Sequence, residues 1–285
     1  MSALGVDGRF IVERATGMPV QLRGVNLSGM EYESARHAGV TERELELMLE
    51  GWGANVVRVP FVQSRAWGER GYREELRDLV EWIGVRGGYT ILDLQWLDRE
   101  RVWGPGKNRV PPEPDEGSER VWEVLAREFR GTPWVIFDLF NEPHDIGVER
   151  WCGWAERLGR AVRAVDEERV LMVGGLDWAY DLRGVRVGLR DVVYSTHVYP
   201  GKGWEWEAAF GRRAGSEAVF AGEFGGVATD LAWGRELLDY FDELGMGWTA
   251  WSWRDHPHLQ RGGEATEFGE LVRERLGGKK NGAGS

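Results

Sequence analysis

Apolar positions along the chain form two patterns that alternate from the N-terminus to the C-terminus. Short runs rich in β-branched and aromatic residues are typical of buried strands. Longer segments whose apolar residues recur every three to four positions are typical of amphipathic helices. Repeated strand–helix pairs predict a parallel sheet covered by helices. Eight strands are predicted, at Gln21–Leu27, Asn55–Phe61, Thr90–Trp96, Trp134–Asn141, Val170–Gly175, Val192–Tyr199, Val219–Phe224 and Gly247–Trp253.

Helical patterns lie between these strands and help to fix the fold class. They occur at Thr41–Trp52, Arg73–Val85, Ser118–Phe129, Val148–Val165, Asp230–Leu244 and Ala265–Leu276, with a less regular one near Leu182–Leu189. Thr41 with Glu44 forms a capping signal at a helix start, and glycines such as Gly53, Gly131 and Gly245 mark helix ends. Eight strand–helix units predict a closed α/β barrel of the TIM (β/α)8 type.

The remaining segments are predicted to surround this barrel. Gly8–Glu13 and Pro19–Arg23 flank the turn sequence Ala15–Met18, which predicts a short N-terminal β-hairpin capping the bottom of the barrel. The longest loop is Leu97–Gly117, which is rich in proline and charge. We therefore expect a single barrel domain at 1–276, followed by a disordered tail or linker at 277–285.

Composition and charge exclude several classes of partner. With 285 residues, 42% of them hydrophobic, the chain can bury one large core. Its formal net charge of -11 repels nucleic-acid phosphates and anionic lipid headgroups, so we expect neither nucleic acid nor a membrane as partner. Cys152 is the only cysteine, which excludes an intrachain disulfide. The protein is expected to be a monomer.

Polar and aromatic side chains are concentrated where the predicted strands end. In a (β/α)8 barrel these ends lie on the C-terminal face, where active sites are built. A single glutamate at such a place is most often part of a structural ion pair. Polar and aromatic residues at six strand ends on one face favour a catalytic site instead. The residues that close these six strands are Arg58, Gln95 with Trp96, Asn141 with Glu142, His197 with Tyr199, Glu223, and Trp251.

Glu142 and Glu223 are the candidate catalytic carboxyls. Glu142 follows the largely apolar run Val135–Phe140, and a hydrophobic floor raises the pKa of a carboxyl, which suits a general acid. For Glu223, a neighbouring Arg58 and the hydroxyl of Tyr199 would favour the ionised form, which suits a nucleophile. Two carboxyls whose pKa values are pushed apart divide the roles of acid and nucleophile between them.

The motifs at these strand ends are Leu22–Asn26, Arg58, Asn141–Pro143, His197–Tyr199, Gly222–Gly225 and Trp251–Trp253. Together they resemble glycoside hydrolase family 5, the cellulase family, over nearly the whole chain. The resemblance implies a (β/α)8 barrel, retention of anomeric configuration, and no metal or organic cofactor. It also implies that Glu142 is the acid/base and Glu223 the nucleophile, with their carboxyls about 5–5.5 Å apart.

The resemblance further implies residues that contact the sugar. Asn141 would bond the sugar 2-hydroxyl, His197 would support Glu142, Tyr199 would contact Glu223, and Trp251 would stack under the sugar at the cleaved bond. The candidate substrate-binding residues are Asn26, Arg58, Gln95, Trp96, Asn141, Trp178, His197, Tyr199, Trp204 and Trp251. Gln95 departs from the family, since many members carry histidine there, and glutamine does not titrate near neutral pH. This difference concerns substrate detail rather than the two-carboxyl mechanism.

Tryptophan is abundant, at 16 of the 285 residues. Because indole rings stack on the apolar faces of sugars, tryptophans at or after strand ends are candidates for cleft walls. These are Trp96, Trp103, Trp178, Trp204, Trp206 and Trp253, whereas Trp52, Trp82, Trp122 and Trp154 lie in helices and are predicted to pack in the core. No metal site is expected, since His256 and His258 lack an evident third ligand. Asp93 and Asp138 lie inside strands and are predicted to be structural partners of arginine.

These inferences lead to one hypothesis and two alternatives. The chain is expected to be a retaining endo-β-1,4-glucanase that acts on β-glucan polysaccharide or oligosaccharide. β-Mannanase or another β-glycanase activity is an alternative, because the motifs do not report how a subsite receives the sugar 2-hydroxyl. A non-catalytic glycan-binding barrel is the alternative from another class, although retention of both glutamates and of Arg58 speaks against it. An extracellular location is expected, with a cytoplasmic one left open because no signal sequence is present.

Overall fold

The computed structural model describes residues 1–32, 39–98, 110–226 and 230–277. Within these ranges the chain forms a closed barrel of eight parallel strands, with helices in the connections. The predicted TIM (β/α)8 fold and its single domain are therefore confirmed. The cleft candidate Trp103 and the predicted tail from residue 278 onwards lie outside the described residues.

An antiparallel hairpin precedes the barrel and covers its lower end. Strands β1 (Leu4–Asp7) and β2 (Phe10–Glu13) pair across a tight turn at Gly8. Leu4 packs with apolar residues from the lower ends of the barrel strands, as a cap does. Gly8 has a φ of +56°, and a glycine in left-handed backbone suits the tight turn between β1 and β2.

The predicted N-terminal hairpin is confirmed, and the predicted turn at Ala15–Met18 is present as well. Beyond this turn Val12 bridges to Pro19 in antiparallel orientation, and the Glu13 N–H donates to the carbonyl oxygen of Met18 at 2.9 Å. The pairing of β2 with β1 was not predicted.

The barrel strands lie close to their predicted positions. They are β3 (Arg23–Asn26), β4 (Val56–Val62), β5 (Tyr89–Trp96), β6 (Val135–Asp138), β7 (Leu171–Gly174), β8 (Val192–Val198), β9 (Val219–Phe224) and β10 (Gly247–Ala250). Each strand pairs with the next along the chain, and β10 pairs with β3 to close the barrel. All eight predicted strands are confirmed, and most are shorter than predicted.

Helices follow most of the strands on the outside of the barrel. They are α1 (Glu42–Glu46), α2 (Gln63–Gly68), α3 (Arg70–Val85), α4 (Glu116–Glu128), α5 (Val148–Arg163), α6 (Arg212–Ala214), α7 (Leu231–Leu244) and α8 (Glu267–Leu276). Wider π-helical turns at Leu47–Gly51 and Glu207–Gly211 adjoin α1 and α6, and a small strand pair, β11 (Gln260–Arg261) and β12 (Glu264–Ala265), precedes α8. Thr41 and Glu44 form the predicted capping box. None of the helices in the described ranges is both long and apolar enough to cross a membrane.

The helix predicted near Leu182–Leu189 is wrong. This segment forms turns between β7 and β8, and its Gly184 has a φ of +76°, which is incompatible with a right-handed helix. Its backbone N–H groups bind other elements instead. Leu182 donates to the carbonyl oxygen of Ala209, and Gly188 donates to a carboxyl oxygen of Glu156, both at 2.9 Å. The connection is a packed loop because these tertiary hydrogen bonds replace helical ones.

Side chains inside the barrel change from apolar to polar from bottom to top. Successive side chains of a strand point to opposite faces, so residues two apart share a face. Val56 and Ile91 belong to the apolar cluster at the lower end, whereas Arg58 and Asp93, two residues further along the same strands, are buried and charged. The apolar layer therefore forms a floor, and the polar groups meet above it at the C-terminal end.

Candidate active site

Two glutamates face each other at the C-terminal end of the barrel. Glu142 lies on the loop after β6, and Glu223 lies near the end of β9. One oxygen of each carboxyl and a ring nitrogen of His197 all lie within 4.8 Å of one another. The Glu142 side chain is 20% exposed and that of Glu223 is 4% exposed. One carboxyl therefore opens to solvent, and the other lies deeper in the barrel.

Glu223 accepts a hydrogen bond at each of its carboxyl oxygens. Arg58 Nη1 donates to Oε1 at 2.8 Å, and the Tyr199 hydroxyl donates to Oε2 at 2.6 Å. Such bonds fix the plane of the carboxyl group and favour its ionised form. Arg58 and Tyr199 are the two neighbours that the sequence predicts for a nucleophilic Glu223.

The Arg58 guanidinium organises the polar side chains beneath Glu223. It donates to Asn26 Oδ1 at 3.0 Å, to Asp138 Oδ2 at 3.0 Å and to Asn141 Oδ1 at 2.9 Å. Asp93 Oδ1 lies 3.0 Å from the same group. Asp93 and Asp138 therefore have the arginine partner that their position inside strands predicts.

One buried cation faces three buried carboxyls in this cluster. Burial raises the pKa of Asp93 well above its ordinary value and also raises the pKa of Asp138, while the Arg58 charge acts in the opposite direction on both. Burial raises the pKa of Glu223 as well, and His197 and Arg58 oppose that rise. Because one positive charge cannot balance three negative ones, the cluster retains protons at pH values where exposed carboxyls are ionised.

Glu142 lies in an environment that suits a proton donor. Burial raises its pKa to about 7, and the positive charge of Arg58 is the largest effect in the other direction. His197 Nδ1 lies 2.9 Å from Glu142 Oε1, and burial lowers the pKa of His197 to about 4. The imidazole is therefore neutral near pH 7, so it orients Glu142 without adding charge to it.

Close packing behind His197 depends on a glycine in the neighbouring strand. A Cβ atom on Gly222 would lie 2.9 Å from His197 Nε2 and 2.5 Å from Ser195 Oγ. Both distances are too short for non-bonded atoms, so no side chain fits there. Gly222 thus allows β9 to approach β8 closely enough to place Glu223 beside His197.

Asn26 and Arg58 do not lie where a substrate can touch them. Both side chains are fully buried. The Asn26 oxygen accepts from Arg58, and its amide nitrogen donates to the carbonyl oxygens of Gly222 at 3.0 Å and Thr249 at 3.3 Å. The prediction that these two residues bind substrate directly is therefore wrong. Their polar atoms are engaged by protein neighbours, and they support Glu223 from below.

Three other predicted substrate-binding residues lie at strand ends with little exposure. Asn141 accepts from Arg58 through its amide oxygen, so the NH2 end of the amide points away from the guanidinium. Gln95 Oε1 is buried and has no hydrogen-bond partner within the described ranges. Trp251 follows β10, and its backbone N–H donates to the carbonyl oxygen of Phe224 at 2.9 Å. Gln95 and Asn141 therefore keep polar atoms that their protein neighbours do not use.

The predicted aromatic residues divide into exposed and buried groups. Trp178 is 36% exposed and Trp204 is 58% exposed, whereas Trp96 is nearly buried and packs edge-on against Tyr32. Trp206 and Trp253, also candidates for the cleft wall, are buried in the core. Trp206 packs against Trp233 and Tyr240 of α7, and Trp253 packs against Trp52, so their position after a strand end does not bring them into the cleft. The helical residues Trp52, Trp82, Trp122 and Trp154 pack in or against the core, as predicted.

Three residues close to the glutamates have no counterpart among the sequence predictions. His144 Nδ1–H donates to the carbonyl oxygen of Glu142 at 2.8 Å. Lys202 lies just after β8, and its charge opposes the rise in the pKa of Glu142. Glu31 is fully buried on the loop after β3, and burial raises its pKa to about 8. All three lie within a few residues of a strand end, which is the signal that could have identified them.

Glu142, His197 and Glu223 form the one group of three potential metal ligands found in the described part of the chain. Their atoms already bond to one another or to other protein groups. The Arg58 guanidinium lies 2.8 Å from one Glu223 oxygen, and its charge would repel a metal cation there. The arrangement is therefore better suited to proton transfer and nucleophilic attack than to metal binding.

Comparison with known proteins identifies relatives of this chain. Residues 14–257 match the family described as cellulase (glycosyl hydrolase family 5). Endoglucanase MaCel5A of Microbulbifer sp. (strain ALW1) is 23% identical over 263 residues, which cover 85% of this chain and 49% of the relative. The major extracellular endoglucanase of Xanthomonas campestris pv. campestris is 26% identical over 320 residues, covering 87% of this chain and 64% of the relative. The chain spans about half the length of several of the curated relatives that it matches.

Solved structures share the fold. The native β-glucanase SdGluc5_26A from Saccharophagus degradans superimposes with a TM-score of 0.83 at 22% identity, and the match covers 97% of this chain and 93% of that one. The same β-glucanase has been solved in complex with cellotetraose. At this level of identity the likeness shows the barrel fold.

Proposed function

The chain belongs to glycosyl hydrolase family 5, the cellulase family, and on this basis we propose that it is a retaining endo-β-1,4-glucanase. The observation that carries the proposal is the carboxyl pair, in which oxygens of Glu142 and Glu223 lie within 4.8 Å of each other. Retaining glycosidases hold their two carboxyls about 5–5.5 Å apart, whereas inverting ones need about 6.5–9.5 Å to admit a water molecule. The short distance supports double displacement through a covalent glycosyl-enzyme.

In the first step, a Glu223 oxygen attacks the anomeric carbon as the bond to the leaving oxygen breaks. The proton of Glu142 passes to that oxygen, so the leaving group departs as a neutral alcohol. A pKa of about 7 keeps this proton on Glu142 in neutral and weakly acidic solution. Glu223 is the better nucleophile of the two because Arg58 and Tyr199 donate to it and favour its ionised form.

In the second step, water attacks the anomeric carbon and Glu223 leaves as a carboxylate. Formation of the ester removes the negative charge of Glu223, and this change prepares Glu142 to act as a base. Repulsion by Glu142 raises the pKa of Glu223, and Coulomb repulsion is mutual. The pKa of Glu142 therefore falls in the glycosyl-enzyme, so Glu142 is ionised when it must accept a proton from water.

The residues around the two carboxyls position the sugar. We assign to the NH2 end of Asn141 a hydrogen bond to the sugar 2-hydroxyl, since its oxygen is held by Arg58. Gln95, which keeps 7% exposure at the end of β5, offers its amide group to another hydroxyl. Trp251 supplies an indole at the end of β10 for the apolar face of the sugar. For these contacts to form while Glu223 attacks the anomeric carbon, the sugar must lie above Glu223.

Support for β-glucan as the substrate comes from relatives and from exposed indoles. The curated relatives are named endoglucanases, and a structural neighbour binds cellotetraose. Trp178 and Trp204 expose indole faces on which glucose rings stack. β-Mannanase activity is the alternative within the family. The two substrates differ in the orientation of the sugar 2-hydroxyl, the group that the proposal assigns to Asn141.

Domain extent, assembly and location are part of the same proposal. We place the catalytic unit at 1–276 and expect it to act as a monomer outside the cell. The eight barrel strands and the helix α8 all fall within this range. The Xanthomonas campestris relative is named an extracellular enzyme.

A substrate panel tests the proposed function. The parent protein and the Glu223→Gln variant are incubated with carboxymethyl cellulose, mixed-linkage β-glucan, mannan and xylan, and reducing ends are measured over time. We expect release from the two glucans by the parent only, together with a fall in viscosity that shows internal cleavage. Release from mannan but not from glucan would establish the alternative specificity. Binding of glucan without cleavage would establish a non-catalytic glycan-binding barrel and refute the proposal.

A further inference from the structure

The turn that follows β7 has an unusual backbone conformation. Asp177, Trp178 and Ala179 have φ values of 54°, 62° and 59°, so three consecutive residues with side chains lie in the left-handed region. This conformation brings Cβ close to the following carbonyl oxygen and is strained for residues other than glycine. Strain of this kind persists only where neighbouring groups hold the backbone in place.

Lys202 provides the charged contact that holds this turn. Its Nζ donates to the carbonyl oxygen of Asp177 at 2.7 Å and lies 2.9 Å from Asp177 Oδ1. One ammonium group therefore binds both the backbone and the side chain of the first residue of the turn. The same ammonium group lies 6.0 Å from the centre of the ring of Tyr180, which is the residue that follows the turn.

The backbone of the turn contacts the segments that carry the acid/base carboxyl and its histidine partner. The Trp178 N–H donates to the carbonyl oxygen of Pro143, the residue after Glu142, at 3.2 Å. The His197 N–H donates to the carbonyl oxygen of Ala179, also at 3.2 Å. A shift of the turn would therefore move both the segment that follows Glu142 and the backbone of His197.

The side chain of Trp178 extends this connection to the surface of the cleft. Its ring stacks on His144, with centroids 3.6 Å apart and an angle of 9° between the planes. His144 in turn donates from Nδ1 to the carbonyl oxygen of Glu142. The stack makes Trp178 a flat, partly exposed wall beside the acid/base residue.

We propose that Lys202 is a positioning residue, which clamps the turn Asp177–Ala179 so that Trp178 stays stacked on His144 beside Glu142. The role of this wall in receiving a sugar rests on the proposed function. The clamp itself rests on the contacts of Lys202 alone.

Lys202 also contributes charge at Glu142. Its positive charge favours the ionised carboxyl and so opposes the effect of burial on the pKa of Glu142. Removing that charge shifts the loss of the Glu142 proton to higher pH. The other titratable and charged groups that face or couple to Glu142 are Arg58 from β4, His144 from its own loop, His197 from β8, Tyr199 after β8 and Glu223 from β9.

Hydrogen exchange tests the clamp without using activity. Lys202→Met removes the donor, whereas Lys202→Arg keeps a cationic donor at the same position. Arg183→Met is the matched control, because Arg183 forms an exposed ion pair with Asp181 on the same loop. We expect exchange in a peptide covering 176–181 to be about tenfold faster in Lys202→Met and close to the parent in the other two variants.

Kinetics with cellotetraose test the consequence for the cleft. For Lys202→Met we expect the KM to rise about tenfold while kcat changes about twofold or less, because the wall must be ordered when sugar binds. The alkaline limb of kcat/KM is also expected to move to higher pH. Lys202→Arg should have the KM and the alkaline limb of the parent protein. A merely structural role of the lysine stem does not predict this result.

Two results would overturn the inference. Unchanged exchange in Lys202→Met would show that the turn does not depend on the clamp. Faster exchange with an unchanged KM and pH profile would show that the clamp does not serve the cleft. If the parent protein cleaves no oligosaccharide, the proposed function fails instead. The exchange result and the affinity for cellotetraose measured by calorimetry then decide the inference independently.

Discussion

At the scale of single residues, the two glutamates differ in what their neighbours donate. Glu223 receives hydrogen bonds from a guanidinium and a phenol, whereas Glu142 lies beside an imidazole that is neutral near pH 7. A proton added to the pair is therefore better placed on Glu142. This asymmetry, together with the greater exposure of Glu142, supports the proposed assignment of acid/base to Glu142 and nucleophile to Glu223.

This asymmetry predicts the pH dependence of hydrolysis. The first step requires a protonated Glu142, whose pKa burial raises to about 7. The protonated form is lost as pH rises through that value, so kcat/KM for β-glucan is expected to fall about tenfold per pH unit above it. Initial rates at low substrate concentration between about pH 4 and about pH 9 measure this limb. A decline that begins near the ordinary pKa of an exposed glutamate would contradict the account.

The residue scale also shows what the sequence could and could not reveal about the site. Glu142, Glu223 and Tyr199 were predictable because strand ends of a barrel meet on one face. Asn26 obeys the same rule but is fully bonded by its neighbours, and the sequence does not report which polar atoms are already used. Lys202 contacts the turn after β7, and Trp178 of that turn stacks on His144 beside Glu142, so only the three-dimensional path of the loop reveals this connection.

At the scale of elements, the contact between β8 and β9 sets the distance between His197 and Glu223. Gly222 lies where a Cβ atom would press on His197 and Ser195. Because Glu223 is the next residue, any adjustment of β9 also moves the proposed nucleophile. The geometry of the site therefore depends on the absence of one methyl group.

Gly222→Ala is expected to lower kcat by about tenfold to hundredfold and to destabilise the protein by about 1–3 kcal/mol, because the core there has no room. Gly153→Ala is the control. Gly153 lies in α5, and its added Cβ would meet nothing within 4 Å. Alanine there is expected to be neutral or slightly stabilising. Steady-state kinetics and urea unfolding of both variants measure the two effects. Equal behaviour of the two variants would mean that packing at Gly222 is unimportant.

Elements were predictable to the extent that local pattern decides them. The eight strands were found because each is a short apolar run bounded by polar or turn residues. The segment Leu182–Leu189 has helical spacing in part, but hydrogen bonds to Ala209 and Glu156 hold it as a loop. Near the N-terminus, the turn at Ala15–Met18 was predictable from its turn residues, whereas the pairing of β2 with β1 across Gly8 was not.

At the scale of the whole molecule, net charge decides which glucans approach easily. The formal charge of -11 repels an anionic polymer and has no such effect on a neutral one. Salt screens this repulsion, since the Debye length falls from about 30 Å at 0.01 M to about 8 Å at 0.15 M ionic strength. Discrimination between charged and neutral glucans is thus expected to depend on salt.

Raising the ionic strength over this range is expected to increase kcat/KM for carboxymethyl cellulose by about twofold or more and to leave that for mixed-linkage β-glucan unchanged. Parallel assays with the same enzyme stock measure both. The neutral glucan is the control for any direct effect of salt on the enzyme. An equal response of the two substrates would show that long-range repulsion plays no part in the encounter.

The most direct test of the account is to trap the covalent intermediate. A 2-deoxy-2-fluoro-β-cellobioside with a good leaving group allows the first step and slows the second, so the glycosyl-enzyme accumulates. Mass spectrometry of the digested protein is expected to locate one cellobiosyl group on Glu223, with none in the Glu223→Gln variant. A label on Glu142, or turnover of β-glucan to products of inverted anomeric configuration, would contradict the assignment of the two glutamates.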